Sequence, residues 1–150
     1  MLIGLIVYLF ILSVVWAVLE IQIEGKNGWA SALPTWRKKE GWIVKLLGGR
    51  PLTGYHICMI TFLALVYHFP FFFTPWNLGK ELFTIGFFFG FLLIEDFLWF
   101  VLNPAFRLKR FNRKNPDLWW HKSWWGPVPD FYWWYTVAAV VLMYFGYKIW

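Results

Sequence analysis

Apolar residues gather along this chain into four continuous runs, over 2–20, 55–73, 82–102 and 131–147. A helix crosses roughly 30 Å of hydrocarbon in about 20 apolar residues, and each run is close to that length. Strict alternation, the mark of a membrane β-barrel, is absent. The pattern therefore predicts an all-α integral membrane protein, a bundle of four transmembrane helices forming a single transmembrane domain over 1–150. No Lys or Arg precedes the first run, and Glu20, Ile21 and Gln22 follow it where a signal peptidase needs small residues. That run reads as a retained helix.

Two of the intervening segments carry helical signals of their own. In the first, Trp42, Ile43, Val44, Leu46 and Leu47 make 37–47 read as a short interfacial helix stopped by Gly48-Gly49. In the third, Asn115 is placed to cap a helix that opens on Pro116 and Asp117 and stops at Gly126-Pro127. This predicts a second interfacial helix over 116–125, with Trp119, Trp120, Trp124 and Trp125 as an aromatic belt or as the wall of a ligand pocket.

Composition strengthens the membrane reading. The chain is 60% apolar and 25% aromatic, with 13 Trp and 17 Phe, and only 15% of it is charged. A soluble globule of 150 residues could not bury that much apolar surface. A disordered chain would lack it. Cys58 is the single cysteine and has no intrachain disulfide partner.

Charge then sets an orientation. Six of the 14 basic residues lie in loop 1 (Lys26, Arg37, Lys38, Lys39, Lys45, Arg50) and six in loop 3 (Arg107, Lys109, Arg110, Arg113, Lys114, Lys122). Loop 2 has Lys80 and the tail has Lys148. The positive-inside rule puts loops 1 and 3 in the cytoplasm and both termini outside. The net charge of +6 is thus a topology signal with affinity for anionic headgroups, and no nucleic-acid partner is expected.

The polar residues inside the runs collect at one depth. At 1.5 Å per residue, Glu95 and Asp96 lie about 5 Å to the cytoplasmic side of the third run's midpoint, where an ionised carboxylate is costly. A helical wheel puts Leu92, Glu95, Asp96, Trp99 and Asn103 in one stripe and Gly86 and Gly90 nearly opposite. Those two glycines admit a bulky neighbour within the chain or a homo-oligomer contact. Glu20 and Glu24 close the first run, His56 opens the second, and His121 follows Asp117 in loop 3. All fall in the cytoplasmic half, whereas the outer half has His68 and Glu81 only.

These residues predict a cavity with Glu95, Asp96, His121 and His56 as acid–base groups. Glu20, Glu24, Trp99, Asn103, Trp119, Trp120 and Trp125 would bind the substrate. Adjacent buried carboxyls separate in acidity, so one can donate a proton while the other stays charged. The structural alternative is an ion pair of Glu95 and Asp96 with Arg107, Lys109 or Arg50. Metal-binding spacings such as Glu-x-x-His are absent, no metal is expected, and no cofactor is indicated.

The stretch Ile94-Glu95-Asp96-Phe97-Leu98-Trp99-Phe100 resembles the Pro-x-Glu-Glu-x-x-x-Phe-type helix motif of the small membrane-bound lycopene cyclases. Leu93 replaces the proline, and the likeness covers seven residues. It implies a lipid-soluble substrate met by membrane carboxylates. The leading expectation is binding or acid–base conversion of an amphipathic or isoprenoid membrane lipid. A proton-coupled transporter or sensor acting as an oligomer, and a non-catalytic scaffold or complex subunit, are the alternatives.

Overall fold

The structure, a computed structural model, describes residues 2–150. It is 66% helical, and three helices are long and apolar enough to cross a membrane: Ile3–Glu24, Gly54–Phe72 and Leu78–Leu102. The chain order is α1 (Leu2–Glu24), β1 (Arg37–Lys38), α2 (Trp42–Leu46), β2 (Leu52–Thr53), α3 (Gly54–His68), α4 (Leu78–Leu102), β3 (Trp124–Trp125), β4 (Val128–Pro129) and α5 (Asp130–Ile149). With 20 residues, α5 is also long enough to span, but its Trp and Tyr rings make it less apolar.

Local chemistry sets each helix end. Gly25 takes a left-handed φ of 61° after α1, and its N–H donates to Ile21 O at 2.9 Å. Thr53 caps α3 by accepting the His56 N–H at 3.2 Å. Pro70 then tightens the helix into a 3-10 turn at Phe69–Phe72. Asn77 caps α4 through the Lys80 N–H at 2.8 Å, and Pro104 keeps it from continuing past Asn103.

α4 is the central helix, packed on α5 along one face and on α1 along another. The α4–α5 contact is a seam of small residues. A Cβ on Gly86 would lie 2.8 Å from Met143 N and 2.9 Å from Ala139 O. One on Gly146 would lie 2.6 Å from Phe83 N. Gly86 and Gly90 are both buried, and their free space is filled by α5 and by Leu9 of α1. Of the two readings of the glycine face, a neighbour within the chain is the one that these contacts match. α3 joins the bundle through Leu63 and Tyr67, packed with Trp16, Phe87, Phe88 and Phe91.

Neither predicted interfacial helix forms at full length. Over 37–47 only Trp42–Leu46 is helical, because Gly41 at φ 115° breaks the run. Before it, β1 pairs antiparallel with β2, Arg37 opposite Thr53. The Arg37 guanidinium explains the extended conformation: it donates to the carbonyls of Thr35 (2.8 Å), Leu33 (3.0 Å) and Ala30. Over 116–125, Asn115 does cap a turn, accepting the Asp117 N–H at 3.1 Å, but the turn is a 3-10 piece that ends at Leu118. Gly126-Pro127 then closes a hairpin in place of a helix stop, with Trp125 opposite Val128 and Gly126 at φ 64°.

Loops 1 and 3 pack together at one end of the bundle. Lys122 Nζ donates to Gly49 O at 3.3 Å, and the Trp120 ring lies against Gly28, where a side chain would overlap it. At the other end, His68 Nε2 meets Glu81 Oε1 at 2.9 Å, a pairing that ties the end of α3 to the first turn of α4.

Candidate functional site

Under the two packed loops lies a cavity of about 130 Å³. Its side chains come from every long helix and both loops. α1 gives Trp16, Glu20 and Glu24, and α3 gives His56, Met59 and Leu63. α4 gives Leu92, Glu95, Asp96, Trp99 and Phe100, and α5 gives Phe131 and Tyr135. Loop 1 adds Trp29 and Arg50, and loop 3 adds Trp120.

The carboxyls are held in different ways. Glu24 Oε1 accepts the Ala30 N–H at 2.6 Å and lies 4.0 Å from His56 Nε2. Asp96 Oδ2 accepts the Tyr132 hydroxyl at 2.6 Å, and His121 Nε2 stands 3.5 Å from the same oxygen. Glu20 of α1 and Glu95 of α4 line the same cavity from two helices. Glu95 is buried, and its Oε1 has no partner among the described residues.

His56 is fixed on both sides. Its Nδ1 is 2.7 Å from Thr53 Oγ1, and its ring stacks on Trp29 with centroids 4.2 Å apart. Trp29 and Ala30 adopt left-handed φ values of 58° and 51°, unusual for residues with side chains. That conformation aims the Ala30 N–H at Glu24, while Trp29 Nε1 donates to Pro51 O at 2.8 Å. The backbone strain is thus spent on placing one cavity wall, Trp29, and one carboxylate partner, the Ala30 N–H.

Arg50 is the cation of the cavity. Its guanidinium lies over the Trp29 and Phe131 rings at 4.6 and 5.1 Å, and its Nε donates to Leu47 O at 2.8 Å. Burial pulls it below its ordinary pKa, against the opposing pull of Asp96. It remains a cation, since guanidinium does not deprotonate in proteins. His121 lines a smaller adjoining cavity of about 40 Å³ that shares Arg50, Trp120 and Phe131 with the first. Burial, and then the nearby Arg50 charge, hold His121 well below its usual pKa, so the imidazole is neutral at pH 7.

Set against the sequence reading, Glu20, Glu24, His56, Glu95, Asp96, Trp99 and Trp120 share one cavity, with His121 beside it. Asn103, Trp119 and Trp125 do not line it. Asn103 is buried as a structural link: Nδ2 donates to Gly25 O at 2.7 Å and Oδ1 accepts the Ala105 N–H at 2.9 Å. Trp119 and Trp125 are exposed, because the short 3-10 turn and the hairpin rotate them away from the bundle. Of the three basic residues offered as partners for Glu95 and Asp96, Arg107 and Lys109 are exposed and Arg50 lines the cavity.

Sequence reasoning missed Trp16, Trp29, Tyr132 and Tyr135. Trp16 carried a usable signal, one helical turn before Glu20 on the same face. The other three enter through tertiary contacts with no local mark. Among the described residues, no group of three or more His, Cys, Asp or Glu is arranged to hold a metal ion.

No protein-family model, curated protein or solved structure matches this chain. Its function is therefore read from the geometry alone.

Proposed function

We propose that the chain is an integral membrane protein of four transmembrane helices, α1, α3, α4 and α5, with loops 1 and 3 on the cytoplasmic side. In this reading it binds an amphipathic or isoprenoid lipid in the cavity, or converts it by acid–base chemistry. The carrying observation is that Glu20, Glu24, His56, Glu95 and Asp96, from three helices, line one aromatic-walled cavity. Insertion is supported by the outer surface, where Ile3, Leu65 and Phe72 are 79%, 68% and 84% exposed. Such a surface suits hydrocarbon and aggregates in water.

The volume bears on how a lipid would sit. An apolar cavity of about 150 Å³ holds a benzene-sized group, so this one takes a headgroup or one end of a chain. The test is mass spectrometry of lipids retained by the purified protein. One lipid class should be enriched over the bulk membrane, and Glu95→Gln should reduce it. Retained lipid that mirrors bulk composition in both proteins overturns the reading.

That Glu20 and Glu95 line one cavity from two helices favours a second reading, a proton relay through an oligomer, since intramembrane carboxyls mark such pathways. Proton flux into liposomes that is lost in Glu95→Gln would support it, and flux equal to empty liposomes would exclude it.

A further inference from the structure

Two buried polar atoms of opposite kind, both on side chains that line the main cavity, have no partner among the described residues. Glu95 Oε1 is an acceptor and Trp99 Nε1 is a donor. Their residues are 7% and 4% exposed. Buried groups of this kind are normally paired, so a ligand that completes the site would offer a donor to Glu95 and an acceptor to Trp99.

Charge narrows the ligand. Glu20, Glu24, Glu95 and Asp96 face the cavity with Arg50 as its one cation. Four carboxyls against one guanidinium give the cavity more acidic groups than basic ones, which suits a cationic ligand group. The aromatic faces of Trp16, Trp29 and Trp120 also suit a cation. A quaternary ammonium has no N–H for Glu95 Oε1, whereas a primary ammonium has three. Arg50 uses only Nε in hydrogen bonds among the described residues, which leaves its terminal nitrogens for an anionic oxygen.

Size and access agree. About 130 Å³ is room for a group the size of ethanolamine phosphate. Ile60 lines the cavity and is also 44% exposed, so the cavity reaches the apolar outer face of α3, where acyl chains would lie.

We propose that the cavity is a headgroup site for a primary-amine phospholipid, its ammonium among Glu95, Glu20 and Glu24 and its phosphate toward Arg50 and Trp99 Nε1. The assignment rests on the lipid-binding reading above and names the class of lipid.

The test places the purified full-length protein in nanodiscs of equal phosphatidylethanolamine, phosphatidylcholine and phosphatidylglycerol and reads the retained lipid by native mass spectrometry. Phosphatidylethanolamine should be retained about tenfold over the other two, and Glu95→Gln should lower its retention by about tenfold, as expected for losing one charge-assisted hydrogen bond. Trp99→Phe, which keeps the ring and removes the N–H, should lower it by a smaller factor. The preference of the unaltered protein among the three headgroups needs no substitution, so it stands even where a variant fails to fold. Free phosphoethanolamine that raises the melting temperature of lipid-free protein, without retention of the lipid, supports the same chemistry from a soluble source. Equal retention of phosphatidylcholine, or a preference for phosphatidylglycerol or for a neutral polyprenol, overturns this assignment alone. Retention of nothing overturns the lipid-binding reading with it.

Discussion

Asp96 shows how much a single residue depends on distant chain. It accepts the Tyr132 hydroxyl at 2.6 Å across 36 residues, and His121 lies 3.5 Å from the same oxygen. Tyr132→Phe leaves the ring and removes that donor. It should cost about 1 kcal/mol, the range for one part-buried hydrogen bond, measured by unfolding in detergent micelles. His121 makes a pH prediction. Its folded-state pKa lies well below 6.5, so below about pH 6.5 the unfolded chain binds a proton that the folded chain refuses. This group's contribution to stability should be flat above that point and fall as the pH drops below it toward the folded value. The charged neighbours are Asp96, Arg50, Lys122 and Asp130, and Phe131 stacks on the ring. His121→Gln should flatten the part of the slope that belongs to this group. An unchanged slope between about pH 7 and pH 5 would show that the imidazole is not buried uncharged.

At the scale of elements, the α4–α5 seam makes a contrast between two glycines one turn apart. A Cβ on Gly86 meets backbone atoms at 2.8 and 2.9 Å, and backbone does not yield as a side chain does. Gly86→Ala should therefore destabilise by about 1–3 kcal/mol through overpacking. At Gly90 the same atom meets only Leu9 Cδ2 at 3.8 Å and Ala139 Cβ at 4.0 Å. Gly90→Ala should be neutral or stabilising by up to about 1 kcal/mol, since alanine is the better helix former. Thermal denaturation of the two variants side by side checks the seam. Gly28 tests the loops in the same way. With the Trp120 ring against its backbone, Gly28→Ala should displace a cavity wall and weaken ligand retention while the helices stay formed by circular dichroism.

For the molecule as a whole, the prediction is topological. Loops 1 and 3 are packed against one another at one end, while Trp150 meets Gly79 at the other. In a Cys58→Ser background, cysteines placed at Lys39 and Lys114 should react with a membrane-impermeant thiol reagent from the same side. A cysteine at Trp150 should react from the opposite side. Labelling of all three from one side would mean that α5 does not span, which would leave a three-helix membrane protein with α5 lying in the interface.

The four long helices were legible in the chain itself, because a continuous apolar run and its Gly, Pro, Thr and Asn boundaries act over a few residues. So was the gathering of Glu20, Glu24, His56, Glu95 and Asp96, since depth along a helix follows from counting residues. The loops were not. Arg37 draws its segment into an extended strand through three carbonyls, and Gly126-Pro127 makes a hairpin where a helix end was expected. The likeness of 37–47 and 116–125 to helices was real at the level of propensity and was overridden by pairing with other parts of the chain. The sequence alone thus determined the helical class, the candidate spans and the scarcity of buried charge. Only the tertiary structure decided which groups meet: it chose Arg50 over Arg107 and Lys109, brought Tyr132 to Asp96, turned Asn103 into a structural link and filled the glycine face from within. Those outcomes are set by contacts between residues far apart in the chain, and no local pattern encodes which of several equally apolar faces will find each other.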